Sequence, residues 1–249
     1  KKYRNFIMGG AGIPDSDRVR FREISEELSR LALKFEENVL DETNSFGLEL
    51  TNPEDLDGLP PDVVEMAASE AKKRNRQGWV FTLHYPSYMP FMQYSSKREL
   101  REKMFRAYSS RAFHNDEKDN RELVAKMVNL RLEIAGILGY KNFAQMVLED
   151  RMAENQSNVE KFLDDLFTAS HKAALADFKD VEEFASESGH RDKIERWDWA
   201  FYSEKLKLKK HSIDDELLKP YFRLEKVRDA LFGLAGTLYG IQFRPAPEI

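Results

Sequence analysis

Apolar residues recur at steps of mostly three and four over an unusually long stretch of this sequence, between Ser157 and Gly189. Such spacing is typical of an α-helix with one buried face. The positions that share it are Val159, Phe162, Leu166, Phe167, Ala174, Phe178, Val181 and Ala185. At about 1.5 Å per residue this helix would exceed roughly 40 Å, which is longer than a small domain is wide. The pattern therefore predicts an elongated helical body.

Shorter segments of the same kind fill most of the remaining chain. Helix starts are indicated by Asp15 or Ser16, by Pro60-Pro61, and by two capping boxes, Ser96 with Glu99 and Asp119 with Glu122. The predicted helices cover about 15–39, 60–77, 96–113, 119–138, 142–152, 197–208, 212–219 and 224–239. The first dozen residues, which end in a run of glycines, are expected to form a flexible lead-in.

One segment departs from the helical pattern. Residues 79–83 are rich in aromatic and β-branched side chains between Gly78 and Pro86, which predicts a short strand. The aromatic segment 84–91 contains two prolines, each of which disfavours the helical conformation in the residue before it, so an ordered loop is expected there. The predicted fold class is all-α, with at most a short strand near 79–83.

Composition restricts the class of protein. The chain has 249 residues and a net charge of −5, which argues against a nucleic-acid binder driven by charge. Its length suits one large domain or two closely packed ones, with a possible boundary in the polar segment 113–118. The absence of cysteine excludes disulfides, cysteine-ligated zinc and thiol nucleophiles. The apolar run around Gly236-Thr237-Leu238-Tyr239-Gly240 lies between Arg228 and Arg244 and is too short to span a bilayer.

No catalytic or metal-binding residue can be assigned from spacing. The five histidines, at positions 84, 114, 171, 190 and 211, are too far apart for two of them to bind a metal from adjacent turns of one helix, and H-E-x-x-H is absent. Ser188 precedes a glycine but lacks the flanking glycine of a nucleophile elbow. A metal site assembled from scattered residues such as His84 and His114 is the alternative.

Several longer strings resemble the thimet oligopeptidase and oligopeptidase A family of zinc metallopeptidases, and most closely its bacterial peptidyl-dipeptidase (dipeptidyl carboxypeptidase) branch. The resemblance covers nearly the whole chain and implies a neurolysin-like peptidase fold. Its clearest parts are ENVLDET at 37–43, LDGLP at 56–60, GWVFTLHYPSYMPFMQY at 78–94, residues 119–155, WDWAFYSEKL at 197–206 and residues 231–243.

What the resemblance implies concerns mainly segments outside this sequence. The family's zinc-binding H-E-x-x-H, its further Glu ligand and its oxyanion-stabilising residues lie downstream of the last matching string. Residues 1–249 are therefore expected to be an excised, non-catalytic helical fragment of a larger metallopeptidase. Zinc is expected in the parent enzyme and not in this fragment.

The resemblance also suggests where peptides would pass. Family members enclose a deep channel between two largely helical halves, and this fragment would supply part of one wall. Candidate channel residues are Tyr85, Tyr88, Trp197, Asp198 and Tyr202, and ordinary packing between helices is the alternative for each. The family motif around Tyr202 usually carries two adjacent tyrosines, and here the first of them is Phe201.

The expected function of the parent is hydrolysis of short peptides. Removal of C-terminal dipeptides is the first expectation, oligopeptide endopeptidase activity the second, and a non-catalytic helical interaction module is the alternative of a different class. The expected partners are short peptides and the missing catalytic segment of the same chain, with no nucleic acid and no membrane. The resemblance leaves the cytoplasm and the periplasm both open.

Overall fold

A computed structural model describes residues 2–212, 215–244 and 246 of the chain. Within these residues helices dominate and the strands form one two-stranded sheet, which confirms the predicted all-α class. The elements are α1 (Lys2–Met8), α2 (Asp15–Ser45), β1 (Leu48–Leu50), α3 (Pro61–Lys73), β2 (Trp79–Phe81), α4 (Tyr85–Tyr94), α5 (Arg98–Ser109), α6 (Arg121–Ile137), α7 (Phe143–Leu148), α8 (Gln156–Glu187), α9 (Arg196–His211), α10 (Asp215–Leu218) and α11 (Leu224–Tyr239). Short 3-10 turns cover Pro53–Leu56 and Lys219–Tyr221.

The chain divides into two compact units, Lys1–Ser203 and Glu204–Ile249. The segment 113–118, which the sequence offers as a possible boundary, lies inside the first unit. The second unit contains α10 and α11 within its described residues. The start of the helix predicted after Ser212 falls on residues 213–214, which lie outside the described part. No helix among the described residues is long and apolar enough to cross a membrane.

The main core of the first unit surrounds the small sheet. Strands β1 and β2 pair antiparallel, with Leu48 opposite Phe81 and Leu50 opposite Trp79. The buried side chains of this core come from β1, α3, β2, α4 and α5: Leu50, Val63, Ala67, Phe81, Leu83, Tyr88, Phe91, Met92, Leu100 and Met104. Removing this much apolar surface from water is what holds these elements together. The sequence does not predict β1, because three residues without β-branching carry no strand signal.

A second apolar cluster joins α2 to α6. Ile24 and Leu31 of α2 pack against Leu130 and Ile134 of α6 in the interior of this pair. These residues follow the predicted helical spacing on both segments. The apolar faces of α2 and α6 therefore hold these two helices against each other.

Helix α4 corrects the loop predicted over 84–91. Pro86 is the second residue of α4, where the first-turn N–H groups have no partner within the helix, so its missing N–H costs nothing. Pro90 lies inside the helix and removes one backbone hydrogen bond. Tyr88, Phe91 and Met92 are all buried in the main core by this arrangement. Burial of these three large side chains outweighs the local cost of Pro90.

The structure also differs from other local predictions. The predicted flexible lead-in contains α1. Ser96 does not cap α5, which starts after Lys97; its hydroxyl instead donates to the main-chain oxygen of Asp57 at 2.9 Å. The long helix α8 starts one residue before the predicted Ser157, and the side chain of Asn155 caps it by accepting from the N–H of Asn158 at 2.9 Å.

Candidate functional site

Three of the five candidate residues lie within two turns of α9. Asp198 is fully buried, Tyr202 is buried, and Trp197 is half-buried. Because Asp198 and Tyr202 are four residues apart, their side chains lie on one face of the helix. Within the 197–206 segment, these residues therefore form a single cluster that faces the protein interior.

Two arginines of α5 hold the carboxylate of Asp198. Arg98 donates Nε and Nη2 to it at 2.9 to 3.1 Å, and Arg101 donates Nη2 to Oδ1 at 3.0 Å. The N–H of Glu195 adds a bond to Oδ2 at 3.1 Å. Arg98 and Arg101 are three residues apart on α5, so both face the same side of that helix. Asp198 thus joins the start of α9 to α5.

The other two nitrogens of the Arg101 guanidinium also donate hydrogen bonds. Its Nε donates to the main-chain oxygen of Trp197 at 3.0 Å, and its Nη1 donates to the main-chain oxygen of Ser95 at 2.7 Å. The side chain of Arg101 is only 1% exposed. A buried guanidinium is tolerated when its charge is paired and its N–H groups are bonded. Arg101 is paired with Asp198, and each of its three nitrogens donates one hydrogen bond.

The cluster shifts the titration of its members. Burial by itself raises the pKa of Asp198, but hydrogen bonds from Arg98, the Glu195 N–H and Arg101 oppose this and hold the pKa below its usual range. Hydrogen bonding to Asp198 raises the pKa of Arg98, whereas burial lowers the pKa of Arg101. Burial also raises the pKa of Tyr202. Asp198 therefore stays ionised and Tyr202 stays protonated at neutral pH.

Aromatic rings contact arginines of α5. The guanidinium of Arg101 lies 4.1 Å from the ring centre of Phe201, and Arg106 lies 4.9 Å from the ring centre of Trp197. Such cation–ring contacts gain strength when they are desolvated. Phe201 stands where the sequence resemblance implies a tyrosine, and its ring lies against the guanidinium of Arg101. The Phe201 side chain therefore contributes a ring contact to the buried guanidinium of Arg101.

The two α4 candidates have different surroundings. Tyr85 is 70% exposed, whereas Tyr88 is only 7% exposed and stacks on Tyr108 of α5 with ring centres 4.2 Å apart. Burial raises the pKa of Tyr88 to about 12. Of these two residues, Tyr85 alone presents its ring to solvent.

The described residues do not fit a zinc ion. Over residues 2–212, 215–244 and 246, no three His, Asp or Glu side chains are placed to hold a metal. His114 pairs instead with Glu42 of α2, with 2.6 Å between Nε2 and Oε1. His84 is exposed and lines a shallow cavity of about 240 Å³ between α3 and the start of α4. The alternative metal site built on His84 and His114 therefore receives no support from this part of the chain.

Sequence reasoning missed the partners of the α9 candidates. Arg98 and Arg101 share a helix face, which is a signal for a common partner, but spacing cannot identify an aspartate about a hundred residues away. It also missed Glu42, which bonds both His114 and the N–H of Ala112. Ala112 has a φ of 55°, which is uncommon for a residue with a side chain. Glu42 thereby fixes an unusual turn between α5 and α6.

Comparison with known proteins shows the family to which this chain belongs. Residues 91–249, more than half of the sequence, match Peptidase family M3, and the chain belongs to that family.

Named relatives cover nearly all of the sequence. The organellar oligopeptidase A, chloroplastic/mitochondrial, of Arabidopsis thaliana is 39% identical over 96% of this chain, which corresponds to 31% of the relative. Oligopeptidase A of Escherichia coli (strain K12) is 34% identical over 99% of this chain and 37% of the relative. Dipeptidyl carboxypeptidase of the same organism is 27% identical over 97% of this chain and 36% of the relative. The chain thus spans about a third of the length of the curated relatives it matches.

Proposed function

We propose that this chain is a helical, non-catalytic part of a zinc metallopeptidase that hydrolyses short peptides. The observation that carries the proposal is the similarity of almost the whole chain to proteins named oligopeptidase A, at 34 to 39% identity. The described residues contain no set that fits a zinc ion, so we assign none of the hydrolysis to them. In this proposal the zinc and the residues that activate water belong to another segment of the parent protein.

We further propose that this chain forms part of the wall of the peptide channel. Tyr85 is the candidate for direct contact with a peptide, because an exposed tyrosine ring can stack on a substrate while its hydroxyl forms a hydrogen bond. Asp198, Tyr88 and Tyr202 are buried, which suits a supporting role behind such a wall. In that role the bonds from Arg98 and Arg101 to Asp198 would hold α9 in position.

The identities of the relatives support one mode of cleavage over the other. Both proteins named oligopeptidase A are more similar to this chain than the dipeptidyl carboxypeptidase is. The branch assignment expected from the sequence strings is not reflected in these identities. We therefore propose cleavage of oligopeptides as the first function and release of C-terminal dipeptides as the second.

The test compares this chain with a protein extended through the rest of its reading frame. The proposal predicts that the frame continues beyond Ile249 into H-E-x-x-H. Both proteins would be incubated with short peptides blocked at each end and with peptides that have a free C-terminus, and the products identified by mass spectrometry. Internal cleavage by the extended protein alone supports the oligopeptidase mode, and sequential loss of dipeptides supports the second mode. A frame that stops at Ile249 would favour a non-catalytic interaction module.

The channel role of Tyr85 is tested in the same extended protein. Replacing Tyr85 with Ala should raise KM about fivefold, since losing one aromatic contact costs about 1 kcal/mol. Tyr3→Ala is the matched control, because Tyr3 is similarly exposed and lies on α1, which holds none of the candidate channel residues. An unchanged KM for Tyr85→Ala would remove this residue from the channel while leaving the peptidase assignment intact.

A further inference from the structure

The string LDGLP at 56–60 contains a turn at Asp57 and Gly58 that contacts residues 95–97, the link between α4 and α5. The N–H of Ser96 donates to the main-chain oxygen of Asp57 at 3.0 Å, and the Ser96 hydroxyl lies 2.9 Å from the same oxygen. The hydroxyl also contacts the carboxylate of Asp57. Polar contacts to both the main chain and the side chain of Asp57 therefore hold this link against the turn.

Gly58 brings the backbone of the turn unusually close to the end of α4. Its φ is +84°, and a Cβ built there would lie 2.3 Å from the main-chain oxygen of Tyr94 and 3.3 Å from the nitrogen of Ser96. The shorter distance is a collision, so a residue with a side chain fits only if backbone moves. Both neighbours are main-chain atoms, and neither can turn aside as a flexible side chain would. The turn and the link are therefore fitted to each other.

The same link is bonded to Arg101. The main-chain oxygen of Ser95, a fully buried residue, accepts from Nη1 of Arg101 at 2.7 Å. Arg101 also donates to the main-chain oxygen of Trp197 and to the carboxylate of Asp198, both at 3.0 Å. A guanidinium is planar and rigid, so its three nitrogens cannot move independently of one another. A displacement of Ser95 must therefore either break its bond to Arg101 or change the bonds that Arg101 makes to α9.

We propose that Ser96 and Gly58 are positioning residues for the start of α9. They fix the link at 95–97, the link fixes the guanidinium of Arg101, and Arg101 holds the segment that contains Trp197. All of these contacts lie within the first compact unit. The consequence for peptide hydrolysis rests on the proposed function, in which α9 supports the channel wall.

The experiment measures the surroundings of Trp197 in the folded chain. Its ring centre lies 5.9 Å from that of Phe105 and 4.9 Å from the guanidinium of Arg106, both on α5. A displacement of α9 against α5 therefore changes the magnetic environment of this ring. Labelling with fluorotryptophan gives separate fluorine resonances for Trp79, Trp197 and Trp199, and replacing each in turn with Phe assigns them.

Variants at the two positioning residues supply the test. Ser96→Ala and Gly58→Ala should each displace the Trp197 resonance by more than its linewidth, whereas Ser96→Thr, which keeps the hydroxyl, should leave it near its original place. Gly139→Ala is the control for Gly58→Ala, because Gly139 has a φ of +82° but an added Cβ would meet nothing within 4 Å. Circular dichroism checks that each variant folds. If Gly58→Ala does not fold, Ser96→Ala decides, and an unmoved Trp197 resonance in that variant would overturn the proposal.

The consequence for hydrolysis is measured in the extended protein. Ser96→Ala should raise KM for short peptides about threefold, which corresponds to part of the net contribution of one hydrogen bond, and Ser96→Thr should restore it. The value of kcat should stay unchanged, since none of the hydrolysis is assigned to the described residues. A displaced Trp197 resonance with an unchanged KM would overturn the channel-wall role of α9 and support the positioning. An unmoved resonance would overturn the positioning whatever the value of KM.

Discussion

The guanidinium of Arg101 and the carboxylate of Asp198 meet at 3.0 Å although neither side chain is accessible to solvent, with exposed fractions of 1% and 0%. Breaking a buried pair by removing one partner leaves the other charge uncompensated. The pair links α5 to α9, so its loss should affect the position of all three α9 candidates. This relationship defines the first two predictions.

Replacing Asp198 with Ala should lower the free energy of unfolding by about 3–5 kcal/mol, because Arg101 would remain buried without a counter-charge. Urea denaturation followed by circular dichroism measures the change. Asp15→Ala is the control, since Asp15 pairs with Arg18 at the surface and exposed pairs contribute about 0–1 kcal/mol. A loss for Asp198→Ala no larger than that of the control would mean that Arg101 is reached by water.

The free energy of unfolding should also depend on pH because Asp198 titrates. Its folded pKa lies below its usual value of about 3.9, so its contribution is present above that pH and is lost as pH falls through the folded pKa. The free energy of unfolding should therefore fall more steeply below about pH 4 in the unsubstituted chain than in the Asp198→Asn variant. Parallel slopes for the two proteins in acid would argue against an ionised, paired Asp198.

Gly78 should not tolerate a side chain. Its φ is +76°, and a Cβ built there would lie 2.1 Å from the main-chain oxygen of Leu50 in β1. Gly78→Ala therefore adds a collision with the backbone to the usual left-handed strain of about 1–2 kcal/mol. Gly139→Ala is a matched control, because Gly139 has a φ of +82° and an added Cβ would meet nothing within 4 Å. Thermal unfolding should show a clearly larger loss for Gly78→Ala, and equal losses would contradict the close approach of β1 to Gly78.

The isolated chain should bind no stoichiometric zinc and cleave no peptide. Its described residues offer no metal cluster, and the sequence has no H-E-x-x-H. Purified chain would be treated with chelator, reloaded with zinc and analysed for bound metal, and then incubated with short blocked peptides beside the extended protein. Chelator-sensitive cleavage by the isolated chain would require a site built from scattered residues, and would refute the assignment of the chemistry to another segment.

Helical periodicity predicted most of the fold because it depends on local spacing. The long helix over 157–189 was found as α8 with nearly the expected bounds. Helix α4 was missed because the conformational preference of its prolines is local, whereas burial of Phe91 and Met92 depends on elements far away in sequence. The cap predicted at Ser96 is wrong for a similar reason, since the Ser96 hydroxyl bonds Asp57, which is distant in sequence, instead.

The candidate site was predictable only in part. Resemblance to a family singled out Trp197, Asp198 and Tyr202, and the structure brings these three together on α9. Their surroundings were not predictable, because an ion pair such as Arg101 with Asp198 leaves no trace in local spacing. Whether Tyr85 contacts peptides stays a prediction, since exposure alone does not identify a ligand.

The β1–β2 ladder has a consequence for the order of folding. It joins Leu48 to Phe81 across a short segment of chain, whereas Arg101 and Asp198 are 97 residues apart. Since the entropy lost on closing a loop grows with its length, the ladder and α3 should form before α9 docks. Val80→Ala should then slow refolding, while Asp198→Ala should mainly accelerate unfolding. The small sheet would thus act as the nucleus on which the surrounding helices assemble.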